Sequence, residues 1–365
     1  MNRQADVDAA RGLAIVLVVF GHLVARQDPA GVGWYEPLRA LVYAFHMPFF
    51  LYLSGLVAGL SGAARTRMDA WPRLVAGRAR RLLVPFALFG VAIVVGKLVA
   101  VGFVHVDNVP PGVWAGLRAL VWDTGRSPAE SVWYLAVLFV CSVTAPVVLW
   151  AAHGRAWALV ALTAVLFPLQ APAVLYLDRL ATYAVFFAAG VLAAKAGGRW
   201  NGWIDRHWRA LAAGFAVVLV AAFASRSVVP HRAVLLVAGF ASMPAIHGLA
   251  RRSWVMSWPL LQRLGRASFA IYLLNTICIG LAKGVLLLAV SWNGEHFLPF
   301  ALVLLLAGIA GPLAMKRVML RCVPVLGRLA GWPRRWRRRR YSRATSISPG
   351  NASSALKAGS HMTRL

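Results

Sequence analysis

The sequence predicts an all-α integral membrane protein, with about ten transmembrane helices in one bundle and both termini cytoplasmic. Three observations lead there. Of the 365 residues, 60% are hydrophobic and only 14% charged, against about 25% charged in soluble domains, so part of the solvent must be lipid. Apolar runs recur at the length that crosses about 30 Å of hydrocarbon at 1.5 Å per residue. The basic residues gather in alternate loops. The net charge of +28 invites a nucleic-acid reading, but the cations lie between apolar runs instead of along one soluble face. No nucleic-acid partner is expected.

In order, the spans are expected near residues 9–25, 38–60, 81–104, 132–151, 157–176, 180–194, 210–224, 233–250, 267–290 and 298–315. Pro168, Pro172 and Gly190 blur the fifth to seventh. Loop charge orients them. The second span is followed by Arg65, Arg67, Arg73, Arg78, Arg80 and Arg81, and later even-numbered spans by Arg155, then Lys195 and Arg199, then Arg251 and Arg252. The intervening loops are mixed or acidic, with Asp107, Asp123, Glu130, Asp178 and Glu295. No cleavable signal peptide is expected, since the start carries Asp6 and Asp8 and lacks a small-residue cleavage site. Residues 1–332 read as the membrane domain. Residues 333–365, arginine-rich and then rich in Ser, Thr, Gly and Asn, read as a basic, disordered cytoplasmic tail. The three cysteines have no metal or redox spacing and read as packing thiols.

Two histidines stand where an ionisable group is costly. His22 interrupts the first apolar run, and His46 lies in the second, within Phe45-His46-Met47-Pro48-Phe49-Phe50; at that depth a titratable side chain needs a partner or a wet cavity. Arg11 precedes His22 by eleven residues, about 16 Å along a helix and nearly on the same face. Asp8 stands one turn before Arg11 and is placed to pair with it. Pro48 should loosen the helix beside His46 and free a carbonyl. Ser54-Gly55 permits close helix approach. Arg78 and Arg81 share a face at i,i+3 and open the third span, where a helix N-terminus and two guanidiniums suit a phosphorylated ligand. Trp133 and Tyr134 start the fourth span at the outer surface, and Tyr272 and Asn275 are polar within the ninth. Each has a plainer reading: a topology signal for the arginines, packing for Ser54-Gly55, an interfacial aromatic belt for Trp133, an interhelical hydrogen bond for His22.

Together these segments resemble the membrane acyltransferase-3 family, in particular its fucose 4-O-acetylase-like branch. Asp8-Ala9-Ala10-Arg11-Gly12 through Gly21-His22 is similar to its first helix, Phe45 to Phe50 with Leu53-Ser54-Gly55 to its second, and Arg78 to Arg81 to its Arg-x-x-Arg motif. Ser131 to Leu135 and Ser268 to Leu274 resemble two later motifs; where many members continue with histidine, this chain has Asn275. The resemblance runs from about Asp8 to Leu320. It implies a multi-pass protein of the bacterial cytoplasmic (inner) membrane that moves an acyl group, usually acetyl, from cytoplasmic acetyl-CoA to a sugar hydroxyl of a surface or lipid-linked glycan. On that reading His22 is the base and His46 an orienter, acid or acyl carrier. Arg11, Arg78 and Arg81 hold the CoA phosphates, while Asp8, Ser54, Trp133, Tyr134, Tyr272 and Asn275 line or support the site. Acetyl-CoA is then a donor substrate, no cofactor is permanently bound, and no metal is expected. The partners are the lipid bilayer and a carbohydrate acceptor. A transporter or flippase for a glycan or small molecule is the alternative, though no second copy of either histidine segment suggests two similar halves.

Overall fold

The computed structural model describes residues 5–24, 31–103, 106–225, 228–322 and 324–330; the expected tail at 333–365 lies outside the described residues. Every regular element described is helical. In chain order these are α1 (Ala5–Gly21), α2 (Tyr35–Tyr43), α3 (His46–Leu60), α4 (Trp71–Arg78), α5 (Val84–Ala100), α6 (Val113–Val121), α7 (Trp133–Ala151), α8 (Ala156–Leu166), α9 (Leu177–Ala196), α10 (Gly198–Ala224), α11 (His231–Ala250), α12 (Ser253–Met256), α13 (Pro259–Leu286), α14 (Phe297–Cys322) and α15 (Pro324–Leu329). Among the described residues, eight helical stretches are long and apolar enough to cross a membrane, and the chain is a multi-pass membrane protein. Of the other two expected spans, α1 has 17 residues and α8 has 11.

Prolines explain where the helices break. The stretch Tyr35–Leu60 is interrupted at Ala44 and Phe45, because Pro48 lacks an N–H and its ring collides with the carbonyl four residues earlier. Pro85 stands in the same relation to Arg81. There the helix widens into a single π turn over Ala79–Leu83, joining α4 to α5 without a break. This corrects the expected phosphate site: Arg78 and Arg81 lie inside the continuous helical stretch Trp71–Ala100, so no helix N-terminus faces their ligand. The fifth span is also corrected. Helix α8 stops at Leu166, and 167–176 runs on without helix, as Pro168 and Pro172 require.

Non-helical backbone at membrane depth must be satisfied within the protein. Residues 167–176 meet the segment after α6: the Thr124 N–H donates to the Ala173 carbonyl and the Leu175 N–H to the Val121 carbonyl, both at 2.9 Å. Helix α6 lies back along α5, with Leu120 over Gly90 and Gly116 over Val94. The long loop between the third and fourth spans is thereby folded into the bundle.

Two seams hold the rest. Gly12 faces the Leu261 carbonyl and Gly265 the Asp8 carbonyl, joining α1 to α13. Gly55 faces the Phe187 backbone and Gly190 the backbone of Tyr52 and Leu56, joining α3 to α9. Any Cβ at these four positions would overlap main chain, which is how small residues bring helices together in lipid. Gly55 therefore has the packing role that the sequence allowed it. Four residues on, Gly59 meets Val191 and Ala194, so α3 and α9 run in the same direction.

Helix α10 depends on polar ties, because none of its apolar window is buried. Arg251 bridges Asp6 at 2.8 Å and Asp205 at 2.7 Å, and Arg252 also bonds Asp205. Beside this network the Trp200 indole N–H donates to the Tyr52 hydroxyl at 2.9 Å, and that hydroxyl stands 2.8 Å from Nδ1 of His247.

Candidate active site

The site is built at the end of α1. A helix leaves its last carbonyls without partners, and α2 supplies them. The Tyr35 hydroxyl donates to the Phe20 carbonyl at 2.8 Å, the Tyr43 hydroxyl to Gly21 at 2.7 Å, and Arg39 Nη1 to Val24 at 3.1 Å. Residues 35, 39 and 43 recur every four positions and so form one stripe of α2. The cation also suits the negative end of the α1 dipole, and Glu36 holds it through Nε at 2.7 Å. His22 follows directly, in the turn after α1, with its N–H on the Val19 carbonyl at 3.0 Å. It is thus just past the helix and half-buried. Its ring makes no hydrogen bond to a described residue.

His46 is the first residue of α3 and is buried. Its Nδ1 lies 2.9 Å from the Val42 carbonyl, one of the groups loosened by the Pro48 break. A carbonyl only accepts, so Nδ1 carries the proton and, in the neutral ring, Nε2 keeps its lone pair. The Tyr43 ring lies 4.9 Å from the His46 ring, tilted by 31°, and the Arg39 guanidinium stands 5.6 Å from the centroid of the Tyr43 ring. His22 is within electrostatic reach of both His46 and Arg39. The two histidines singled out from the sequence therefore lie near each other, with Tyr43 against the His46 ring and bonded to the residue before His22.

The expected arginines also meet. Arg81 is within electrostatic reach of Arg11 and of Arg78, and Tyr134 faces both Arg11 and Arg81. Among the described residues none of the three guanidiniums forms an ion pair or a hydrogen bond. Asp8 is within electrostatic reach of Arg11, and Arg266 also approaches it at 3.8 Å from α13. Three like charges with Asp8 beside one of them leave an excess of positive charge suited to an anion.

Between the two clusters runs a polar and aromatic line. Ser54 donates to the Phe50 carbonyl at 3.0 Å, so the Tyr134 hydroxyl, 2.6 Å away, donates to Ser54. The Tyr134 ring touches those of Phe50 at 5.3 Å and Tyr272 at 5.2 Å, and the Tyr272 hydroxyl bonds the Ser131 carbonyl. Trp133 and Tyr134 open α7, as the fourth span requires; Tyr134 is buried within the bundle, 3% exposed, and Trp133 packs against Tyr183 at 4.8 Å. Asn275 is fully buried, its amide NH2 spent on the Ile271 and Tyr272 carbonyls and its oxygen unpartnered; no contact brings it to the histidines. Sequence reasoning missed Tyr35, Arg39 and Tyr43. Their four-residue spacing was the available signal.

With this geometry in view, comparison with known proteins is decisive for the family. The acyltransferase domain of the acyltransferase-3 family matches residues 4–317. The chain belongs to that family. Part of it is 32% identical to the nodulation protein NolL of Sinorhizobium fredii over 136 residues, 37% of this chain and 33% of the relative. It is 36% identical to the nodulation protein NolL of Mesorhizobium japonicum over 86 residues, 23% of this chain and 22% of the relative. The matches thus span a third or less of these relatives' length. No solved structure matches the chain significantly.

Proposed function

We propose that the protein is a membrane-embedded O-acyltransferase, moving an acyl group, acetyl in the simplest case, from cytoplasmic acyl-CoA to a hydroxyl of a surface or lipid-linked sugar. One observation carries the reading. Arg11 on the first helix stands in a guanidinium cluster with Arg78 and Arg81, and about 16 Å further along the axis, just past the end of that helix, His22 is within electrostatic reach of His46. Phosphates of the donor would sit on Arg11, Arg78 and Arg81 through charge-assisted hydrogen bonds. The extended arm of CoA would then lie past Ser54 and Tyr134 and bring the thioester to the histidines.

The chemistry follows from the rings. The acceptor hydroxyl attacks the thioester carbonyl while a neutral imidazole, His22 on the sequence reading, takes its proton. The tetrahedral intermediate then expels the CoA thiolate, which recovers that proton. His46, with its tautomer fixed by the Val42 carbonyl, keeps a lone pair directed away from its own backbone and is suited to orient His22 or share the proton. Family membership and the NolL similarity support acyl transfer, and the alternating loop charge supports a donor side facing the cytoplasm, in the inner membrane of a bacterium. The deciding experiment reconstitutes the protein in liposomes with radiolabelled acetyl-CoA and de-O-acetylated surface glycan from the producing strain. Label should appear in the glycan; label that never leaves CoA would refute the reading.

A further inference from the structure

At the start of α9 the chain does something costly that the catalytic scheme leaves unused. Leu175 and Tyr176 both take the left-handed conformation, with φ of 52° and 59°, a region that non-glycine residues avoid unless their surroundings impose it. The surroundings do: Arg232 donates to the Leu169 carbonyl and to the Thr182 hydroxyl, each at 3.1 Å, tying this segment to α9. The result buries the Tyr176 hydroxyl and Oδ1 of Asp178, and neither has a hydrogen-bond partner. Ser127 approaches the Tyr176 hydroxyl without meeting hydrogen-bond geometry. Two orphaned polar atoms on one turn are expensive in a protein interior. They call for a ligand.

The position of this turn says which ligand. Helices α3 and α9 run in the same direction, Gly55 opposite Phe187 and Gly59 opposite Val191; carried back along both helices, the same offset sets Asp178 level with His46. Arg179 pairs with Asp178 at 3.5 Å and lies 5.7 Å from the Trp133 ring, which in turn packs on Tyr183. Glu130, exposed, is within electrostatic reach of both Tyr176 and Tyr43, the tyrosine that packs on His46. A carboxylate, a phenol and a guanidinium beside an indole can bond several hydroxyls and face the C–H side of a ring at once.

We infer that Tyr176, Asp178, Arg179, Trp133 and Glu130 form the acceptor subsite, which holds a sugar ring through its non-reacting hydroxyls while the reacting one points to His22. The inference rests on the acyltransferase reading and adds to it the residues that choose the acceptor. With the reconstituted protein and de-O-acetylated surface glycan, Tyr176→Phe and Asp178→Asn should each raise the glycan concentration for half-maximal transfer about tenfold, with half-saturation by acetyl-CoA unmoved. Glu130→Gln, at an exposed position, gives a variant that folds irrespective of the buried pair and should shift the same constant in the same direction. Unchanged glycan saturation in all three, or donor and glycan constants rising together, would overturn the subsite. Absence of transfer by the native protein would instead overturn the acyltransferase reading.

Discussion

The Tyr43 hydroxyl lies 2.7 Å from the carbonyl of Gly21, the residue before His22, while the same tyrosine's ring rests on His46. One side chain therefore sets the position of both imidazoles. Tyr43→Phe keeps the ring and removes one neutral hydrogen bond, a loss of about 1 kcal/mol. Turnover is expected to fall roughly fivefold with the acetyl-CoA half-saturation constant unchanged, as measured by label transfer in liposomes.

The histidines themselves carry more. His22→Ala is expected to lower transfer by about a hundred- to ten-thousandfold, the usual contribution of a positioned base, while the protein still inserts and accumulates. Normal glycan acetylation in that variant would remove His22 from the mechanism. His46→Asn keeps a donor toward Val42 but supplies no basic nitrogen, so activity that survives it would make His46 an orienter only.

The guanidinium cluster is tested through the donor. Arg78→Ala with Arg81→Ala removes charge-assisted bonds of about 1.5–3 kcal/mol each, and the acetyl-CoA requirement should rise at least tenfold. Because Arg81 is the cation that reaches Arg11, Arg81→Ala alone should account for most of the shift. Titration of transfer rate against acetyl-CoA decides it.

Stability is expected to depend on the seams and on the polar ties of α10. Gly55→Leu forces side chain into the Phe187 backbone, costing about 1–3 kcal/mol or more, and should abolish accumulation of folded protein. Asp205→Ala removes the carboxylate that Arg251 and Arg252 share and leaves Arg251 on Asp6; because Asp205 is 35% exposed, the cost should be about 2 kcal/mol, below the ~3–5 kcal/mol of a fully buried pair. Thermal unfolding in detergent should show that loss without a change in either substrate constant.

What the sequence revealed was local. His46 with Pro48, and Arg11 eleven residues before His22, could be read because helical geometry links them directly. The π turn could have been read from Pro85 after the arginines, and the end of α8 from Pro168. The interior place of Tyr134 could not, since it depends on Leu120 meeting Gly90 and on Thr124 meeting Ala173, contacts that no periodicity records. The same holds for Arg266, which reaches Asp8 from the far end of the chain.

The glycine seams carry a consequence for the donor. Where main chain touches main chain, two helices cannot slide past each other without collision, so α1 against α13 and α3 against α9 make an unyielding frame. On the proposed donor reading, the distance from Arg11 to the imidazoles is then a built-in ruler: a thioester on a shortened arm would bind by its phosphates and hold its carbonyl out of range.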